Sequence, residues 1–208
     1  MNVLAIGAHY DDIEIGCGGS IAKHRAEGDR VIMLVITHSS YTDNRGNVIR
    51  TKEVADAEGR KAAKILDCEL ICLNYETKEV NFDYRLIRDI EMIINDNQID
   101  LIYTHWDKDV HQDHQAVGKA TANAGRKADS ILMYRSNLYM NTQSFNANYY
   151  VDISDHLETK FAAIEAHENE VRKFGEDWLE FWKNEAMNNG KYFNVKGAEA
   201  FQVVKLLR

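Results

Sequence analysis

Short apolar runs alternate with helix-length segments over the first 135 residues of this chain. Segments such as residues 84–96 repeat their apolar side chains at helical spacing, whereas residues 30–37 form a continuous apolar run that fits a buried strand. This alternation is typical of βαβ units, whose strands lie parallel in one sheet. It predicts strands at 3–8, 30–37, 70–73, 100–104 and 131–135, with helices at 13–27, 51–66, 84–96 and 114–126.

The pattern changes after residue 137, where we expect strands at 149–153 and 200–207 and helices at 157–174 and 178–187. Residues 39–48 are expected to form a polar loop. No repeat, low-complexity stretch or linker is present, so residues 1–208 are predicted to form a single domain. We predict an α/β fold that is three-layered and Rossmann-like, with helices on both faces of a mostly parallel sheet.

Charge and hydropathy exclude several classes of protein. The net charge of −8 argues against a nucleic-acid partner, because such proteins normally carry a basic face. The longest apolar run, residues 31–36, is far shorter than the ~20 residues of a membrane helix, and no signal peptide is recognisable. Three cysteines without paired spacing (Cys17, Cys68, Cys72) indicate buried free thiols in a reducing cytoplasm. We leave the oligomeric state open, a homo-oligomer included.

Chemically active side chains follow the predicted strands. His9, Asp11 and Asp12 come directly after the first strand, and His105 follows the fourth, ahead of the segment HQDH at residues 111–114. In open parallel sheets, ligands bind beyond the carboxyl ends of the strands. We therefore expect these groups to meet at one edge of the sheet.

The mixture of imidazole and carboxylate suits zinc or another divalent transition metal. A catalytic zinc has three protein ligands and one open position, and His9, Asp12 and His114 would supply such a set. Asp11 would then be available as a general base for water. The simpler alternative is that Asp11 and Asp12 cap the helix that follows them.

His111 lies three residues before His114, at the start of a predicted helix. It is predicted to face the substrate carbonyl and to stabilise an oxyanion as an imidazolium, with Asp113 or another carboxylate orienting it. A His-x-x-His pair at a helix start is also common as a surface or capping feature. The metal site is favoured because both clusters fall where this topology places ligands.

Two segments, AHYDDIEIGCGG at residues 8–19 and HQDHQAVG at residues 111–118, resemble the PIG-L/LmbE family of metal-dependent N-deacetylases. That family has the pattern A-H-P-D-D-x-E near the N-terminus and H-x-D-H about a hundred residues later. The resemblance implies roles for six residues: His9, Asp12 and His114 as zinc ligands, Asp11 as general base, and His111, partnered by Asp113, as the group that stabilises the intermediate and protonates the leaving amine. Glu14 would have a supporting role.

The chain departs from the family pattern at two positions. Tyr10 replaces the usual proline, so we expect a less rigid or adjusted loop. Relatives also carry an arginine three residues before a helical glutamate, which corresponds here to Glu58, but residue 55 is alanine. Arg50 is a candidate replacement in substrate binding, and a solvated helix-start arginine is the alternative.

Other side chains are candidates for contact with substrate. Arg135 ends the fifth strand and could meet a phosphate, carboxylate or sugar hydroxyl, and Asp109 suggests contacts that differ from those of relatives. The aromatic cluster of Trp178, Phe181 and Trp182 fits a C-terminal core or subunit contact, with stacking on a sugar ring as the alternative.

We expect a metal-dependent amidohydrolase that removes an N-acetyl group from an amino sugar or its conjugate, giving acetate and a free amine. The alternatives are a metal-dependent phosphoesterase, which would favour two metal ions, and a non-enzymatic sugar-binding protein. A nucleotide-binding Rossmann enzyme is disfavoured, because the glycines do not form G-x-G-x-x-G and the strand end is acidic. The carrier attached to the sugar is set by the loops at residues 39–50 and 136–148 and is not predicted.

Overall fold

A computed structural model of the protein describes residues 1–207. The strands of this part of the chain are β1 (Asn2–Gly7), β2 (Arg30–Thr37), β3 (Tyr41–Thr42), β4 (Val48–Arg50), β5 (Glu69–Tyr75), β6 (Leu101–His105), β7 (Ser130–Tyr134), β8 (Tyr149–Asp152) and β9 (Ala198–Lys205). The helices are α1 (Asp12–Ala26), α2 (Lys52–Ile65), α3 (Tyr84–Asp96), α4 (Gln112–Ala124), α5 (Leu157–Glu165), α6 (Glu168–Phe174) and α7 (Glu176–Lys191).

Seven strands form one sheet in the order β5-β2-β1-β6-β7-β9-β8. The first five in this order are parallel, β9 is antiparallel to β7, and β8 is antiparallel to β9. This confirms the mostly parallel α/β sheet expected from the sequence. The chain builds outward from β1 through β2 and β5, then returns to add β6 on the other side of β1. That switch point opens a crevice at the carboxyl ends of β1 and β6.

The central strand β1 has a buried side chain at every position from Val3 to Ile6 because both faces of the sheet are covered. Val3 and Ala5 pack into one apolar cluster, which includes side chains of α1, α2 and α5. Leu4 and Ile6 pack into a second cluster on the opposite face, with α3 and α4. The fold therefore has the three layers that the sequence predicts.

Helix α1 is kinked at Cys17, whose φ and ψ of −147° and 17° are not helical. The kink frees backbone groups, and a buried ion pair satisfies them. Lys160 donates to the carbonyl of Ile15 at 2.6 Å, and Glu199 accepts from the N–H of Ser20 at 2.7 Å. Lys160 and Glu199 also bind each other at 2.5 Å. The pair thus fixes the direction in which the helix leaves the crevice.

Two predicted elements differ from the structure. The predicted helix at 157–174 is divided into α5 and α6, because the His167 side chain turns inward and lies 3.0 Å from the Glu14 carboxylate. The predicted polar loop at 39–48 contains the short antiparallel pair of β3 and β4.

The three cysteines are unpaired, as predicted, but only Cys17 is fully buried and the other two are partly exposed. Among residues 1–207, no helix combines the length and the apolar character that crossing a membrane requires.

Candidate active site

A pocket of about 270 Å³, here called the metal pocket, opens at the carboxyl ends of β1 and β6. Most of the side chains predicted to carry chemistry line it. They include His9, Asp11, Asp12, Arg50, His111 and His114.

Polar atoms of three of these side chains lie close to one another. Nδ1 of His9 lies 3.2 Å from Nε2 of His114 and 3.2 Å from Oδ2 of Asp12, and Nε2 of His114 lies 3.3 Å from Oδ1 of Asp12. Ligand atoms held ~2.0–2.1 Å from a tetrahedral ion are roughly 3.3 Å apart. The donor set therefore fits a small divalent ion, and the structure brings together the three side chains that the sequence proposes as ligands.

A carboxylate lies behind each of the two histidines. Nε2 of His9 donates to Asp113 at 3.0 Å, and Nδ1 of His114 lies 3.4 Å from Asp109 without a hydrogen bond. The contact with Asp113 leaves the lone pair of His9 Nδ1, in the neutral ring, directed toward Asp12, the arrangement found behind metal-bound histidines. Burial lowers the pKa of His9, but its hydrogen bonds to Asp113 and Asp12 outweigh burial and raise that pKa to about 10.

The carboxylate of Asp113 is therefore not the partner of His111 that the sequence suggested. It is held by His9 and by the backbone N–H groups of Lys78 at 2.7 Å and Val80 at 3.2 Å. Its pKa is lowered because the hydrogen bond and charge of His9 outweigh burial. Asp113 is placed to orient His9.

His111 is held by a backbone group. Its Nδ1 accepts from the N–H of Asp113 at 3.2 Å, which caps helix α4 and leaves the ring proton on Nε2. Burial and the neighbouring His9 and His114 lower the pKa of His111 to about 4, and the helix N-terminus also disfavours a cation. The surroundings thus favour a neutral ring that donates through Nε2–H. The sequence-based prediction that His111 acts as an imidazolium is therefore corrected.

Asp11 directly precedes α1 but does not cap it with its side chain, so the capping alternative fails for this residue. Its φ of 111° is a conformation that non-glycine residues rarely adopt, and such strain persists mainly at functional positions. The side chain lines the metal pocket beside Asp12. Burial and the charges of Asp12 and Glu170 raise the pKa of Asp11 well above its usual range.

Two supporting residues were not assigned from the sequence. His105 is fully buried, lies 3.2 Å from Asp12 Oδ2 and stacks on His114 with ring centroids 4.0 Å apart. Ser136 donates to Asp12 Oδ1 at 2.8 Å. The position of His105 at a strand end could have identified it from the sequence. Nothing in the sequence distinguishes Ser136 from other loop serines.

The three residues proposed from the sequence as substrate contacts lie in different places. Arg50 lines the metal pocket and binds Glu58 at 2.7 Å, so it reaches the glutamate that the family pattern pairs with arginine. Asp109 lies behind His114 and accepts from the N–H of His111 at 2.8 Å, outside the pocket wall. Arg135 lines a neighbouring cavity and is paired with Glu185. Asp109 and Arg135 are therefore not contacts within the metal pocket.

Tyr10 holds its loop through contacts of its own, so of the two expectations the adjusted loop fits the structure and the less rigid loop does not. Its N–H donates to Ser39 at 2.9 Å, which proline could not do, and its hydroxyl donates to Asp56 at 3.1 Å. The ring lies against Gly59, where an added Cβ would be 2.2 Å from Tyr10 Cδ1. Glycine at this position makes room for the larger side chain.

Comparison with known proteins agrees with these motifs. A family model described as PIG-L: GlcNAc-PI de-N-acetylase matches residues 4–125, more than half of the chain. The chain belongs to the PIG-L family. Membership in this family of deacetylases makes the chain a hydrolase of amide bonds, and no comparison supports the phosphoesterase alternative.

Individual relatives extend the similarity of this PIG-L protein beyond the matched segment. It is 35% identical over 177 residues to an uncharacterized deacetylase, YaiS, of Escherichia coli (strain K12), covering 80% of this chain and 90% of that one. It is 30% identical to the diacetylchitobiose deacetylase of Thermococcus kodakarensis, covering 97% of this chain and 82% of that one. The solved N,N′-diacetylchitobiose deacetylase of Pyrococcus horikoshii shares the fold, with a TM-score of 0.82, 24% identity and coverage of 98% and 83%.

Proposed function

We propose that this chain is a metal-dependent N-deacetylase that hydrolyses the acetamido group of an N-acetylated amino sugar or its conjugate. The observation that carries the proposal is the pairwise convergence of His9, Asp12 and His114 beside Asp11. The sugar substrate is suggested by a relative over most of this chain, a diacetylchitobiose deacetylase.

His9, Asp12 and His114 are the proposed ligands, and zinc is the proposed ion, with another divalent transition metal as the alternative. When bound, such an ion polarises a carbonyl oxygen and makes water a better nucleophile at neutral pH. Asp113 and Ser136 then act on the ligands by orienting His9 and Asp12.

Asp11 is the proposed general base. It lines the pocket next to a ligand, has no capping role, and has a raised pKa, so its carboxylate is a stronger proton acceptor than that of an ordinary aspartate. The same carboxylic acid can then return that proton to the departing amine. This replaces His111 as the group that protonates the amine, because the lowered pKa leaves His111 without a second proton to donate at neutral pH.

His111 is proposed to donate its Nε2–H to the oxygen of the amide carbonyl as negative charge develops there. The Asp113 N–H fixes the ring so that this donor needs no reorganisation during the reaction. Arg50 is the proposed substrate contact in the pocket wall. Its Nε atom is buried and has no partner among the described residues.

The test is acetate release by the zinc-loaded protein from a panel of N-acetylated sugars, with Asp11→Asn as the key variant. We expect this variant to keep its zinc and to lose roughly 10²–10⁴-fold in turnover, as removal of a general base does. Asp155→Asn is the matched control, because Asp155 is exposed and remote from the pocket lining.

Loss of zinc from Asp11→Asn would make Asp11 a ligand and contradict its role as base. Absence of acetate release from every N-acetylated sugar by zinc-loaded protein would contradict the proposed function. Two metal ions per chain would favour phosphoester chemistry instead.

A further inference from the structure

Helices α5 and α6 meet at His167, whose side chain is fully buried. The residue begins α6 through its backbone, because its carbonyl accepts from the N–H groups of Glu170 and Val171 at 3.0 Å. Its ring makes no capping hydrogen bond. The ring is therefore available to bind groups outside its own helix, and the proposed reaction gives it no role.

The His167 ring joins two charged side chains from distant parts of the chain. Its Nδ1 lies 3.3 Å from Nη2 of Arg50, and its Nε2 lies 3.0 Å from Oε1 of Glu14. Arg50 and Glu14 are each 2% exposed, so water does not compete for these contacts and their electrostatic strength is retained. Glu14 belongs to the first sequence motif but has no part in the proposed reaction.

The two partners of His167 fix its tautomer. A guanidinium has donors only, so Nδ1 accepts from Arg50 and cannot carry a proton. The ring proton then lies on Nε2, which donates to the Glu14 carboxylate. A carboxylate, an imidazole and a cation follow one another in the same order behind metal-bound histidines, with a metal ion in the place of the guanidinium. The charge of Glu14 thus makes His167 a stronger acceptor for Arg50.

Arg50 lines the metal pocket and is held there from several sides. Its Nη2 also donates to Glu58 at 2.7 Å, and its Nη1 donates to the carbonyl of Tyr10 at 3.3 Å and lies 3.5 Å from Glu170. A carboxylate accepts from several directions, whereas the single lone pair of a neutral imidazole lies in the plane of the ring. Of these partners, His167 is therefore the one suited to select a single orientation of the guanidinium.

We propose that His167 is a positioning residue that, together with Glu14, fixes the guanidinium of Arg50 in the wall of the metal pocket for contact with the substrate. The inference rests on the proposed deacetylase function, in which Arg50 is the substrate contact. It gives Glu14 a role that is exerted through His167 and Arg50. Neither His167 nor Glu14 touches the reacting amide.

Two substitutions separate the two nitrogens of the His167 ring. The amide oxygen of His167→Asn can take the place of Nδ1 and keep the contact with Arg50, whereas the longer His167→Gln reaches the place of Nε2 and keeps only the contact with Glu14. Each variant loses one buried hydrogen bond, so both should be less stable than the wild type in urea titrations.

The two variants should differ in kinetics, measured on zinc-loaded protein with the N-acetylated sugar that the wild type hydrolyses fastest. We expect His167→Gln to raise KM by about 10-fold with kcat within about 2-fold of the wild type, because binding is weakened equally before and during the reaction. We expect His167→Asn to keep KM within about 2-fold of the wild type, because Arg50 retains its acceptor. A merely structural role would impair both variants alike.

A double-mutant cycle shows whether His167 acts through Arg50. Arg50→Gln should raise KM at least as much as His167→Gln does, and adding His167→Gln to it should change KM by less than about 2-fold. His156→Gln is the matched control, because His156 precedes α5 without capping it and lies outside the metal pocket lining. An unchanged KM in His167→Gln, equal increases in the two His167 variants, or additive effects of Arg50→Gln and His167→Gln would overturn the inference.

The tautomer of His167 is measured without substrate. Two-bond ¹H–¹⁵N correlation spectra of the zinc-loaded wild type, labelled with ¹⁵N-histidine, distinguish a protonated ring nitrogen from an unprotonated one. The His167 signals, identified by their absence from His167→Asn, should show a proton on Nε2 and none on Nδ1. A proton on Nδ1 would overturn the inference even if acetate is released. Absence of acetate release by the wild type from every N-acetylated sugar would instead overturn the proposed function, whatever the tautomer.

Discussion

The Nε2 atom of His9 lies 3.0 Å from Oδ2 of Asp113, although the two residues are 104 positions apart in the chain. This contact joins the first sequence motif to the second. It also shows that the Asp113 carboxylate orients His9, a proposed metal ligand, whereas the motif alone suggested that it orients His111.

Asp113→Asn should therefore act first on metal binding. The amide can replace the carboxylate as an acceptor but not as a negative charge, so His9 loses the charge that increases its basicity. We expect zinc affinity to fall by about 10- to 100-fold, measured by competition with a chromophoric chelator. Asp107→Asn, in the loop before α4 and without a contact to His9, should leave affinity unchanged. If Asp113→Asn reduced turnover but left zinc affinity unchanged, Asp113 would be assigned to orienting His111 and not His9.

Metal binding should release a proton from His9. In the metal-free protein its pKa is raised from 6.5 to about 10, so the imidazole is protonated at neutral pH and must lose a proton before Nδ1 can bind an ion. Affinity should therefore rise about tenfold per pH unit between pH 6 and pH 9. Calorimetry at pH 6.5 in two buffers of different ionisation enthalpy should give close to one proton released per zinc. A value near zero would show that His9 is already neutral.

Tyr10→Pro, which restores the residue usual in the family pattern, should destabilise this chain. It removes the N–H that binds Ser39 and the buried ring that fills the space beside Gly59. The free energy of unfolding should fall by about 3 kcal/mol or more in urea titrations. Tyr10→Phe, which loses only the hydroxyl contact with Asp56, should cost about 0.5–1.5 kcal/mol. A Tyr10→Pro variant as stable as the wild type would mean that the loop is not held by these contacts.

The Lys160–Glu199 pair should contribute strongly to stability through the kink of α1. Lys160→Met leaves the Glu199 carboxylate buried without its counter-charge, and we expect a loss of about 3–5 kcal/mol in the free energy of unfolding. Lys183→Met is the matched control, because the Lys183–Glu165 pair is largely exposed and should contribute less than about 1 kcal/mol. Equal effects of the two substitutions would show that the buried pair does not support the kink.

The sequence predicts the sheet and the edge at which ligands meet, because these depend on local hydrophobic pattern and on a general rule of topology. The run from Val3 to Ile6 indicates a strand buried on both faces, and the polar residues after it must then lie at the carboxyl edge. His9, Asp12 and His114 could be grouped for this reason without knowledge of any side-chain direction.

Contacts that depend on distant loops could not be predicted. The loop after β5 brings the N–H groups of Lys78 and Val80 onto Asp113, which turns that carboxylate toward His9. Arg135 ends its strand at the expected edge, but Glu185 of α7 binds it in the neighbouring cavity. The sequence contains no signal of either approach, because both are set by the packing of segments far apart in the chain.

His9, Asp12 and His114 are proposed to hold one divalent ion beside Asp11. The most direct test is X-ray diffraction from zinc-loaded crystals with data collected on both sides of the zinc absorption edge. We expect one anomalous peak roughly 2.0–2.2 Å from His9 Nδ1, His114 Nε2 and an Asp12 oxygen. A peak instead at His24, Glu27 and Asp29, a described group of potential ligands outside the metal pocket, or no peak near His9, would contradict this assignment.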